Sequence, residues 1–131
     1  MPELRRATVS KFERENGLLY DPQQIIISCD SKHYCYNVML ACCQEGDEVI
    51  IPAPYWLSYP EMVKLAGAMP VIVETADAAE FKVTPDQLRD AITSRTRIFI
   101  LNSPSNPTGS IYTPEEIQSL GDVCVEKGVL I

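Results

Sequence analysis

No stretch of the chain approaches the roughly 20 consecutive apolar residues that a membrane-spanning helix requires, so no such helix is predicted. The opening residues, Met1-Pro2-Glu3-Leu4-Arg5-Arg6, lack the apolar stretch of a signal peptide. A cytosolic location without a membrane partner is the resulting expectation. Basic clusters are absent as well. The eleven Lys and Arg are scattered, Arg5-Arg6 is the only adjacent pair, and the formal net charge is -7. Affinity for nucleic acid rests mainly on clustered cations, so no nucleic-acid partner is expected. The five cysteines, Cys29, Cys35, Cys42, Cys43 and Cys124, form no C-x-x-C pair and are odd in number. Set among apolar residues, they predict reduced, buried thiols rather than a metal site or a disulfide framework. Neither G-x-G-x-x-G nor G-x-x-x-x-G-K-[ST] occurs, which argues against a generic nucleotide-binding domain.

What the chain does contain is enough for one domain. It has 131 residues, 46% of them apolar and 22% charged. Helix-like and strand-like segments alternate along it. Residues 2–16 read as a polar helix stopped at Asn16-Gly17. Ile25-Ile26-Ile27-Ser28 reads as a short strand, and Ser31 to Cys43 as a helix with Cys35, Val38, Met39 and Cys42 at helical spacing. Val49-Ile50-Ile51, Val71-Ile72-Val73 and residues 97–102 read as strands, with a helix from Ser58 to Ala66 between the first two. Thr84-Pro85-Asp86-Gln87 and Thr113-Pro114-Glu115-Glu116 are capping-box starts with proline at the first helical position. Gly128 ends the last helix, and Val129-Leu130-Ile131 begins another strand. Several strands are apolar at consecutive positions, the pattern of a sheet covered on both faces. The expected fold is therefore α/β, three-layered, with a mainly parallel sheet flanked by helices. The last strand has no helix after it to cover its far side, which suggests a larger parent.

In open α/β sheets, ligands sit in the loops after the strands. Three such loops have unusual content. Cys29-Asp30-Ser31-Lys32 opens a helix, and free N–H groups with a positive dipole suit an anion such as phosphate. An ordinary cap by Asp30 or Ser31 accounts for the same residues. Pro52-Ala53-Pro54-Tyr55-Trp56-Leu57-Ser58-Tyr59-Pro60 holds the only tryptophan beside a tyrosine, among three prolines. Trp56 can offer a rigid face to a planar ring or anchor the core. Asn102-Ser103-Pro104-Ser105-Asn106-Pro107-Thr108-Gly109 fixes its backbone with two X-Pro bonds. Asn106 carries a donor and an acceptor for a phenolate or carboxylate, or else serves its own turn.

The segment Ser103-Pro104-Ser105-Asn106-Pro107-Thr108-Gly109 resembles the S-P-x-N-P-T-G signature of fold-type I aminotransferases dependent on pyridoxal phosphate. Pro2-Glu3-Leu4-Arg5, Glu15-Asn16-Gly17, Gly46-Asp47-Glu48-Val49 and Pro54-Tyr55-Trp56-Leu57-Ser58-Tyr59-Pro60-Glu61-Met62 are similar to motifs of the aspartate aminotransferase branch, in the same order and spacing. The resemblance covers essentially all 131 residues.

It implies pyridoxal 5'-phosphate as cofactor, amino-acid and 2-oxo-acid substrates, and a homodimeric parent. Residues 1–131 would be part of the large, cofactor-binding domain. Trp56 would stack on the pyridine ring and shape the substrate pocket. Asn106 would bond the ring oxygen and stand near the substrate carboxylate, lowering the pKa of the neighbouring Schiff base. Ser31 and Lys32 would receive the phosphate. Asp30 departs from the family, which usually has glycine there, and sets a carboxylate beside a dianion. His33, in the helix's first turn, is expected to be structural. No catalytic residue is expected within the chain: the resemblance places the Schiff-base lysine beyond the C-terminus, and Lys11, Lys32, Lys64, Lys82 and Lys127 do not match it. Alone, the chain is expected to be inactive. A β-lyase on the same fold and the aminotransferase-like domain of a transcription regulator are the alternatives.

Overall fold

A computed structural model describes residues 1–131. Its contacts divide the chain into two units, Met1–Tyr34 and Cys35–Ile131.

The second unit is built on three parallel strands, β1 (Glu48–Ala53), β2 (Met69–Glu74) and β3 (Thr96–Phe99), in the order β2-β1-β3. The central strand explains its own apolar run. Val49, Ile50 and Ile51 are fully buried, and successive side chains point to opposite faces. Val49 and Ile51 pack with Met39, Met62, Val63 and Ile98, whereas Ile50 packs with Leu88, Phe99, Leu120 and Val123. Met39 belongs to α2 (Ser31–Cys42), Met62 and Val63 to α3 (Ser58–Leu65), Leu88 to α4 (Pro85–Ala91), and Leu120 and Val123 to α5 (Pro114–Lys127). Two cores, one on each side of the sheet, make the three expected layers. Burying each such side chain contributes about 1.5–3 kcal/mol.

Helix boundaries follow the sequence signals closely. Thr84 and Thr113 accept from the N–H groups of Gln87 and Glu116, and both residues return their side chains to the cap backbone. Each capping box satisfies two donors that a helix start leaves open. Gly128 ends α5 at φ 68° in the left-handed region, where a Cβ is disfavoured.

Chain direction across the sheet reverses once. From β1 the chain passes through α3 to β2 on one side. From β2 it returns through α4 to β3, and from β3 it passes through α5 to Leu130, which bridges Ile98 in parallel. The connections leaving β1 and β3 thus run in opposite directions. Adjacent strands with diverging connections form a switch point, where a crevice opens at their carboxyl ends.

The first unit holds α1 (Pro2–Asn16), closed by Gly17 at φ 67°, and a single 3-10 turn at Pro22–Gln24. The strand expected at Ile25-Ile26-Ile27-Ser28 is not formed. Ile25 is buried, but Ile26 and Ile27 are exposed and the segment has no ladder partner. β-branched residues favour extended backbone, yet a strand needs a neighbour to take its hydrogen bonds. Val129-Leu130-Ile131 amounts to one bridge at Leu130, and the third strand stops at Phe99 rather than residue 102, although the Ile100 N–H still donates to the Ile50 carbonyl at 2.9 Å. The cysteines are all free, but the expectation of buried thiols needs correcting. Cys124 is buried, Cys35, Cys42 and Cys43 are half-buried, and Cys29 is exposed at the loop before α2.

Candidate functional site

A cleft lies at the switch point, between the carboxyl ends of β1 and β3. Pro54, Tyr55 and Tyr59 line it after β1, and Asn102, Ser105 and Asn106 after β3. Phe81 and Tyr112 complete the lining. The enclosed space is about 20 Å³. That is room for one water.

The two asparagines of the loop after β3 have different jobs. Asn102 serves its own backbone: its Oδ1 accepts from the Asn106 N–H at 2.9 Å, and its Nδ2 donates to the Pro104 carbonyl at 3.2 Å. Asn106 is exposed and lines the cleft. The loop is held further by Ser103, whose Oγ accepts from the Tyr112 N–H at 3.0 Å. Gly109 turns at φ 77°, a conformation that favours glycine.

Trp56 does not line the enclosed cleft. It is half-buried against the core that contains Val49 and Ile51, edge-on to Tyr59 with ring centroids 5.4 Å apart at 89°. Because Tyr59 lines the cleft, the tryptophan sits one ring away from Asn106's pocket. Burial pushes the Tyr59 phenol above its ordinary value, with Cys35 adding to the rise, so it stays protonated and can donate.

The start of α2 belongs to the first unit. Asp30, Ser31 and Lys32 are exposed. The Asp30 Oδ1 accepts from the His33 N–H at 2.8 Å, and His33 Nδ1 accepts in turn from the Cys29 N–H at 3.4 Å. Asp30 is therefore the helix cap, and the His33 ring closes the same turn. Just ahead, Ser28 Oγ is buried with no hydrogen-bond partner in the chain.

Sequence reasoning passed over Phe81 and Tyr112. Nothing in local composition marks Phe81 as a cleft residue, and only the tertiary arrangement brings residues 81 and 112 to the strand ends. Tyr59 stood in a quoted motif without a role of its own.

The fold and the cleft define an α/β protein with a crevice at a switch point, furnished with an exposed amide and an aromatic wall. Comparison makes that class specific. A model of the family "Aminotransferase class I and II" matches residues 1–131. The aspartate aminotransferase of Geobacillus stearothermophilus is 53% identical over 131 residues, covering 100% of this chain and 33% of that protein. An aspartate/prephenate aminotransferase of Cereibacter sphaeroides is 55% identical over 123 residues, covering 94% of this chain and 31% of that protein. The structure of Thermus thermophilus aspartate aminotransferase with maleate superposes with a TM-score of 0.94 at 44% identity, over 99% of this chain and 34% of that one. The chain belongs to the class I and II aminotransferases. It spans about a third of the length of the curated relatives it matches.

Proposed function

We propose that the longer protein carrying this chain is a pyridoxal-phosphate-dependent aminotransferase, moving an amino group from an aspartate-like amino acid to a 2-oxo acid. The observation that carries this is Asn106, exposed beside an aromatic wall at the switch-point cleft of a chain so similar to aspartate aminotransferases. All the relatives named above are aminotransferases, which favours transfer over the β-lyase and regulator alternatives.

Pyridoxal phosphate, when bound, supplies an electron sink for charge developing at the amino acid's α-carbon. The residues of this chain fit it in part. The Asn106 amide would donate to the ring oxygen, favouring its deprotonated form, and would stand near the substrate carboxylate. Trp56 would offer an indole face to the ring and one wall to the substrate. Ser31 and Lys32 would meet the phosphate, while Asp30 is less suited, being a carboxylate already bonded to the helix start.

A homodimer in the cytoplasm is part of the same proposal. It is supported by the likeness to the aspartate aminotransferases named above. No helix is long and apolar enough to cross a membrane.

Borohydride reduction of the full-length protein with pyridoxal phosphate, followed by peptide mapping, tests the proposal alongside an aspartate transamination assay. The expected result is transamination and one stoichiometrically labelled lysine outside residues 1–131. Stoichiometric label on any of the five lysines here, or no transamination, would overturn it.

A further inference from the structure

The loop carrying Asn106 closes on itself. The Ser105 N–H donates to the Ser110 carbonyl at 2.8 Å, the Gly109 N–H donates to the Ser105 carbonyl at 2.8 Å, and the Ser110 N–H donates to Thr108 Oγ1 at 3.2 Å. These bonds make residues 105–110 one piece, which the Asn106 N–H also ties to Asn102 Oδ1 at 2.9 Å, near the end of β3. Its attachment to the turn at Glu80 is a side chain: the Ser110 hydroxyl accepts from Thr108 Oγ1 at 3.1 Å and donates to the Glu80 carbonyl, 30 residues away.

The acceptor is unusually well fixed. Glu80 and Phe81 have φ of 53° and 56°, in the left-handed region that non-glycine residues seldom occupy in succession. Such a conformation persists only where the surroundings over-determine it. Here the Glu80 N–H donates to Asp77 at 2.8 Å, the Phe81 N–H to Ala76 at 3.0 Å and the Lys82 N–H to Ala79 at 2.9 Å. Lys82 is mostly buried and pairs with both Glu80 and Glu116. The same turn places Phe81 against the cleft that Asn106 lines.

We propose that Ser110 is a positioning residue for Asn106: by docking the loop onto the Glu80–Phe81 turn, its hydroxyl sets where the Asn106 amide meets the ligand. The cofactor side of this rests on the pyridoxal phosphate proposal above. The Glu80 carbonyl cannot be removed by substitution, but the donor can. In the full-length protein, Ser110→Ala should speed amide exchange at Ser105 and Gly109 about tenfold, the effect of losing one hydrogen bond, and leave α5 unchanged. With pyridoxal phosphate bound at fixed pH, the same variant should show more of the protonated, longer-wavelength form, because the amide no longer holds the ring oxygen as firmly. Ser110→Thr keeps the hydroxyl and should restore both readouts. Ser110→Cys, similar in size and a weak donor, serves if the alanine variant does not fold. Wild-type exchange and spectrum in Ser110→Ala, or a threonine variant that behaves like alanine, would overturn the proposal. A loosened loop in a protein whose wild type does not bind pyridoxal phosphate would establish the docking and overturn the cofactor role.

Discussion

The Tyr112 hydroxyl accepts a hydrogen bond from the Val83 N–H at 2.8 Å, joining the segment before α5 to the segment before α4 within the core. Both residues are buried, and burial raises the Tyr112 pKa, keeping the phenol neutral. Replacing Tyr112 with Phe leaves the Val83 donor buried without a partner. The expected cost is about 1–3 kcal/mol in chemical denaturation of the full-length protein. A loss below a few tenths would mean that water reaches Val83.

Glu48 gives a pH signature. Its buried carboxylate accepts from Thr93 Oγ1 at 2.6 Å and from Arg95 Nε at 2.9 Å. The Thr93 bond does most to lower its pKa; burial opposes this, and Arg95 adds to the lowering. A carboxyl with a depressed folded pKa contributes stability that is present above the unfolded value of 4.5 and lost as pH falls through the folded one. Glu48→Gln should therefore be less stable at neutral pH, by about 1–3 kcal/mol, and the gap should close as pH drops below that window. Urea midpoints measured from pH 3 to 7 check this, and a gap independent of pH would refute it.

The Asp30 cap separates charge from helix stability. Asp30→Gly should lower stability by only a few tenths of a kcal/mol, since glycine is a tolerable cap. Under the proposed cofactor site it should also tighten pyridoxal phosphate binding, because two unit charges about 4 Å apart repel by roughly 4 kcal/mol at most near a dielectric of 20. Asp30→Asn should keep the cap and recover the charge part. Equal dissociation constants for all three proteins would show that the carboxylate faces away from the phosphate.

Gly109 should resist substitution for backbone reasons alone. No atom lies within 4 Å of where its Cβ would be, yet φ is 77°. Gly109→Ala should cost about 1–2 kcal/mol and loosen the loop around Asn106. Thermal denaturation together with exchange at Ser105 reports both effects, and an unchanged melting temperature would contradict the strain argument.

Local signals were legible in the sequence where their physics is local. Thr84 and Thr113 announce helix starts because a capping box is satisfied within four residues, and Gly128 announces a stop because only the backbone at that residue matters. The run Val49-Ile50-Ile51 predicted burial on both faces, since alternate side chains of one strand must go to opposite sides. The motif around Asn106 named the family without any structure. Other features depended on partners. Ile25-Ile26-Ile27 has the composition of a strand but no neighbour to pair with, so composition alone misled. Whether Asn102 or Asn106 serves the loop could not be read from two asparagines four residues apart. Only folding gave Asn102 the Asn106 and Pro104 backbone as partners and placed Asn106 at the cleft. Phe81 and Tyr112 reached the cleft in the same way, and Ser110 reached the Glu80 carbonyl. The Tyr112 and Ser110 contacts span 29 and 30 residues of chain, which the crossovers between β1, β2 and β3 bring together and no local pattern encodes.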